Sequence, residues 1–140
     1  MKSATISNAA KVAGTTITLR RGDTATIQLT ELGNISARTK LWFTVKRSTA
    51  ETDSAAIIQV TEAGGLVTLN GAASTTGNGA ITIDDAVLGN ITISLKPAAT
   101  MQLNPANGLH ADVQMLTVSG VTTLTAMDVV IEADVTLAIA

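Results

Sequence analysis

The chain reads as an all-β protein, a two-sheet antiparallel β-sandwich of jelly-roll or Ig-like type, on three observations. Apolar residues recur with a period of two along most of its length. Gly- and Asn-containing turn signals interrupt them every roughly 8–15 residues, and no stretch shows the period of an amphipathic helix long enough to stand alone. Alternation sends successive side chains to opposite faces of a pleated strand, and the Thr, Val and Ile that dominate these runs suit such a half-buried surface. Packing two sheets face to face is the natural way to hide the apolar face of each.

The elements follow in order. Ile17 and Leu19, then Ala25, Ile27 and Leu29, mark two strands, with Arg21-Gly22-Asp23 between them as a charged hairpin turn. After the turn signal Leu32-Gly33-Asn34 comes a strand with Leu41, Phe43 and Val45 on one face. A short turn is expected at Thr49–Ala55, then strands at Ala56–Val60 and Leu66–Leu69 parted by Gly64-Gly65. The small, polar run from Gly71 to Gly79 predicts an exposed loop tip, the segment readiest to be disordered or ordered by a partner. Strands at Ala80–Ile83 and Ile91–Leu95 flank Leu88-Gly89-Asn90. Pro97–Leu103 supplies a helical turn or two, with Pro97 at a first helical position. Strands at Leu109–Val118 and Val121–Met127 meet at Ser119-Gly120. A long terminal strand closes the chain: Val129, Ile131, Ala133, Val135, Leu137 and Ile139 alternate there with more polar neighbours. About nine or ten strands result, in one domain spanning residues 1–140.

Composition narrows the functional classes. With 46% hydrophobic and 14% charged residues the chain is too apolar for disorder, and no apolar run approaches a bilayer span, so a soluble globular domain without membrane contact is expected. A net charge of −2 gives none of the basic field that nucleic-acid binding needs. The lack of Cys excludes disulfides and thiolate chemistry, and the polar start after Met1 predicts synthesis in the cytoplasm. Only two residues are aromatic, Trp42 and Phe43, beside 23 Thr and 22 Ala. A core of aliphatic residues and Ala is thin, which favours support from association, and aromatic platforms for sugars are scarce.

Candidate chemistry is sparse. His110, the single His, has no second imidazole for a metal and no nucleophile motif nearby, so a strand-surface or interface residue is the simpler reading. Asp84, Asp85 and Asn90 offer oxygens for a hard cation but lack the spacing of a calcium loop. Gly77-Asn78-Gly79 lacks the Lys and the helix of a phosphate cradle. Arg21-Gly22-Asp23 spells an adhesion tripeptide, though a hairpin turn accounts for it. Arg38, Lys40, Lys46 and Arg47 form the one basic cluster, suited to an acidic protein surface or simply to solvating a strand. Under strict alternation Trp42 faces away from Phe43, either as an interface anchor or under a loop. The apolar end of the terminal strand, with Leu137 and Ile139, needs cover from a sheet or from another subunit.

Two resemblances bear on function. Thr18–Thr24, Gly108, Ala111–Thr117, Gly120–Leu124 and Asp134–Thr136 resemble the β-sandwich at the N-terminus of phage upper-baseplate proteins, except that Leu109 and His110 stand where that module has aromatics. By size, absence of Cys, Ala/Thr/Gly richness and all-β pattern, the whole chain resembles the small capsid decoration, or cement, proteins of tailed bacteriophages such as Bordetella podophages. That second resemblance implies a non-enzymatic virion protein without cofactor, assembled in the host cytoplasm. It would lie on the capsid exterior as a homodimer or other symmetric oligomer, bound to the major capsid protein. The expected contact residues are Trp42, Lys40, Lys46 and Arg47 toward the shell and Leu137 and Ile139 between copies. The alternative is a tail or baseplate adaptor or a receptor-binding module.

Overall fold

The structure, a computed structural model, describes residues 3–6, 16–48 and 50–133, the first of these stretches by its backbone alone. Period-two patterning resolves into eleven strands: β1 (Ser3–Ile6), β2 (Thr16–Arg20), β3 (Ala25–Thr30), β4 (Lys40–Lys46), β5 (Ile58–Thr61), β6 (Gly65–Leu69), β7 (Ala72–Ala73), β8 (Gly79–Asp85), β9 (Asn90–Leu95), β10 (Ala106–Thr117) and β11 (Gly120–Glu132). They form a four-stranded sheet in the order β1-β3-β9-β8 and a seven-stranded sheet in the order β2-β11-β10-β4-β5-β6-β7. The chain changes sheet between β1 and β2, β2 and β3, β3 and β4, β7 and β8, and β9 and β10. The result is an all-β, sandwich-like fold, with one α-helix among the described residues, the four-residue α1 (Pro97–Thr100), that has proline in its first turn as expected.

One hydrophobic cluster fills the space between the sheets. Ile17 and Leu19 of β2, Leu41, Phe43 and Val45 of β4, and Val129 and Ile131 of β11 face Ile27 and Leu29 of β3 and Ile91, Ile93 and Leu95 of β9. Phe43, one of the two aromatic residues, has no exposed surface and packs in the core. Gly79 and Gly89 each mark a close approach. A Cβ on Gly79 would lie 2.9 Å from Leu66 Cβ and 3.1 Å from Leu95 Cδ2, where the sheets pinch together. Gly89 combines a φ of +77° with the backbone of Gly33 directly where a side chain would start, so any other residue there is both strained and obstructed.

Several expectations need correction. Arg21-Gly22-Asp23 is no hairpin turn, because β2 and β3 lie in different sheets and the segment carries the chain across. It is pinned on the way: Arg21 N donates to Glu132 O at 3.0 Å, Arg21 Nε to Leu103 O at 2.9 Å, and Thr100 Oγ1 to Asp23 O at 2.7 Å. Since β2 arrives by a crossing, its direction is not bound by a tight turn, and it pairs parallel with β11, Ile17 opposite Val129 and Leu19 opposite Ile131. That pairing departs from the fully antiparallel expectation. Val121–Met127 and the start of the terminal strand are one element, β11, and residues beyond 133 lie outside the described residues. The Gly71–Gly79 run is largely exposed as expected but structured: β7 pairs with β6, a 3-10 turn spans Thr76–Asn78, and Ser74 N donates to Val67 O at 3.2 Å. β1 at Ser3–Ile6, pairing antiparallel with β3, was not expected from the pattern.

Candidate functional site

The outer face of the seven-stranded sheet gathers Lys40, Trp42, Lys46 and His110. Along β4 alternation turns Lys40, Trp42, Thr44 and Lys46 away from the core side occupied by Leu41, Phe43 and Val45. Register then builds rows across the sheet. Trp42 stands between Thr61 of β5 and Gln114 of β10, and Gln114 faces Thr123 of β11. The next row is Gln59, Thr44, Asp112 and Ala126; the one after is Lys46, His110 and Asp128. Trp42 is half-buried, as a large ring lying among Thr and Gln neighbours should be.

Short side chains in the middle row make a valley between two ridges. The outcome is a pocket of about 310 Å³, with Thr44, Asp112 and Ala126 in the valley and Lys46, Asp53, His110 and Asp128 around it. Lys46 Nζ lies 2.8 Å from Asp53 Oδ1, and this hydrogen bond holds the Asp53 carboxyl below its usual range. His110 Nδ1 lies 3.8 Å from Asp128 Oδ1. Asp112 is different: its carboxylate makes no hydrogen bond or ion pair among the described residues. Burial, joined by the nearby Asp53 charge, pushes its pKa up against the opposing pull of Lys46. Beneath the row, Gln59 Nε2 donates to Thr44 Oγ1 at 3.3 Å, both side chains being buried.

The basic cluster is largely neutralised where it stands. Arg38 grips Glu62 with two bonds, Nε to Oε1 at 2.6 Å and Nη2 to Oε2 at 2.7 Å, which raises the Arg38 pKa and lowers that of Glu62. Arg47, exposed beyond the end of β4, pairs with Glu51 at 3.2 Å, and its backbone N–H donates to the same carboxylate at 2.8 Å, the main reason the Glu51 pKa is lowered. Lys40 alone of the four has no ion pair among the described residues. Trp42, Lys40 and Lys46 therefore share one face, Arg47 lies at its margin, and Leu137 and Ile139 fall outside the described residues.

Other sequence candidates are occupied by structural duties. Asp85 Oδ1 accepts from the backbone N–H groups of Val87 and Leu88, Asp84 Oδ2 accepts from Thr92 Oγ1 at 2.6 Å, and Asn90 Oδ1 accepts from Glu31 N. These oxygens cap turns and cross-link strands, and no cluster fit for a metal occurs among the described residues. No helix of the described residues is long and apolar enough to cross a membrane. The pocket itself was missed from sequence. Alternation shows that His110, Asp112 and Gln114 share a face, but only the register of β4, β10 and β11 brings Lys46, Ala126 and Asp128 beside them. No family model matches the chain, and no curated protein matches it either.

Proposed function

We propose that this chain is a structural virion protein, a cement protein that binds the outside of a tailed-phage capsid and stabilises contacts between major capsid subunits. The observation that carries the reading is the outer face of the seven-stranded sheet. A half-buried Trp42 lies amid Thr and Gln rows there, and most neighbouring charges are already paired within the protein. Such a face offers area and one aromatic anchor rather than reactive groups, which suits a protein whose work is adhesion in many copies. Because Arg38, Lys46 and Arg47 are satisfied internally, Lys40 is the member of this cluster without an ion pair among the described residues, and it would meet an acidic shell. The whole-chain likeness to phage decoration proteins supports the same reading. Symmetric dimerisation, using the terminal segment with Leu137 and Ile139, belongs to this proposal because a two-fold pair doubles a weak patch at high effective concentration.

The test is binding to purified shells that lack the protein. Wild type should co-sediment with heads and raise their resistance to heat. Trp42→Ala combined with Lys40→Glu should leave the circular dichroism spectrum unchanged and reduce retention about tenfold or more. Retention equal to wild type through heating and salt would remove this face from the contact. Co-purification with tails and never with heads would replace the cement reading with that of a tail or baseplate adaptor. Light scattering of the isolated protein, with Leu137 and Ile139 changed to Glu, tests the dimer: wild type should give twice the monomer mass and the variant should not.

A further inference from the structure

We infer that the valley at Asp112 is a binding pocket for a guanidinium group on a short alkyl stem. The proposal stands on shape first. Thr44, Asp112 and Ala126 are short residues set between Gln114 and the Lys46–His110–Asp128 row, and the resulting volume of about 310 Å³ lies at the small end of the range that holds compact ligands. Charge decides the ligand class. Asp53, Asp112 and Asp128 outnumber Lys46 and His110 together, and Lys46 is committed to Asp53 at 2.8 Å, so the pocket carries an excess of negative charge. An anion is thereby disfavoured, and the carboxylates do not converge as a metal site requires.

Hydrogen-bond capacity narrows the class further. Asp112 presents two carboxylate oxygens with no partner among the described residues. Gln114 donates its Nε2 to Thr123 Oγ1 at 3.2 Å, which leaves its Oε1 as an acceptor one residue pair away. A planar fork of N–H donors matches a carboxylate in two parallel bonds, whereas a compact ammonium ion meets it as a point charge. Ala126 on the valley wall suits the weakly hydrated faces of such a plane. The same group could arrive on an arginine side chain of a partner protein or on a free small molecule, and the pocket chemistry is common to both. This inference does not depend on the capsid reading.

The experiment is an amide NMR titration of the isolated protein with ethylguanidinium, ethylammonium and the capped tripeptide acetyl-Gly-Arg-Gly-amide. Ethylguanidinium should bind in the millimolar range, shifting amides of Thr44, His110–Gln114 and Ala126–Asp128 and leaving those of β8 and β9 unmoved. Asp112→Asn should weaken it about tenfold or more. Ala126→Leu, which keeps the carboxylate and fills the valley from an exposed position, should do the same with a native-like spectrum. Tighter binding of the tripeptide assigns the site to a partner's arginine, and binding of ethylguanidinium alone assigns it to a free small molecule; either supports the pocket. Absence of localised shifts, equal affinity for ethylammonium, or no loss in either variant overturns it.

Discussion

Leu41, Phe43 and Val45 share a strand and a backbone with Lys40, Trp42, Thr44 and Lys46, yet the two sets live in different environments. The first set has no exposed surface and touches the opposite sheet, so each side chain is fixed by volume. The second set faces outward, where Thr44 receives Gln59, Lys46 holds Asp53, Trp42 lies between the Thr61 and Gln114 positions, and Lys40 is exposed. Packing on the inner face is shared by many residues and survives little change. Polar pairing on the outer face is local, so one residue can be altered with little effect beyond its own row. That asymmetry is why the outer face is free to carry recognition while the inner face carries stability.

The sharpest way to break this comparison is to truncate the two adjacent aromatics. Phe43→Ala removes a fully buried ring from the centre of the core and should cost about 3–5 kcal/mol in urea unfolding. Trp42→Ala removes a half-buried ring from the outer face and should cost about 1–2 kcal/mol. Equal losses would show that the two faces do not divide the work as described.

A smaller effect is expected at the margin of the outer face. Glu62→Gln removes the carboxylate charge and leaves Arg38 one acceptor oxygen in place of two, and should destabilise by about 1 kcal/mol at neutral pH. The sign with pH follows from the lowered Glu62 pKa. The ionised carboxylate stabilises the folded state above its ordinary value of 4.5, and this contribution is lost as pH falls through the depressed folded value. Melting temperatures of wild type and Glu62→Gln should therefore converge in acid; a gap that persists at low pH would assign the effect to packing instead.

The smallest effect has the opposite sign. Burial raises the Asp112 pKa, so its ionised form is disfavoured in the folded protein and protonation favours folding. Asp112→Asn should leave stability unchanged or raise it by less than about 1 kcal/mol at neutral pH. The gain should shrink as pH falls and wild-type Asp112 takes up its proton. A loss of stability in this variant would mean that the carboxylate is a structural partner rather than an open group in the valley.

Most strands could be read from the chain because alternation is a local property: Ile91, Ile93 and Leu95 announce β9 whatever pairs with it. Pairing is not local. Nothing in Arg21-Gly22-Asp23 tells a hairpin from a crossing between sheets, since the same turn chemistry serves both, and the choice was made by where Ile17 and Leu19 could be buried, beside Val129 and Ile131. Ala72 and Ala73 look like loop because a two-residue strand has no period to display, and it exists only because β6 offers an edge. The sequence by itself determined the all-β class, the inner faces of the long strands and the outward position of Trp42, each a consequence of side chains alternating along one strand. Tertiary structure alone decided that Arg38 meets Glu62, that Lys46 meets Asp53, and that Asp112 is left in a valley beside Ala126. Those contacts run across strands, and their partners are set by register, which depends on how every apolar face in both sheets is buried at once.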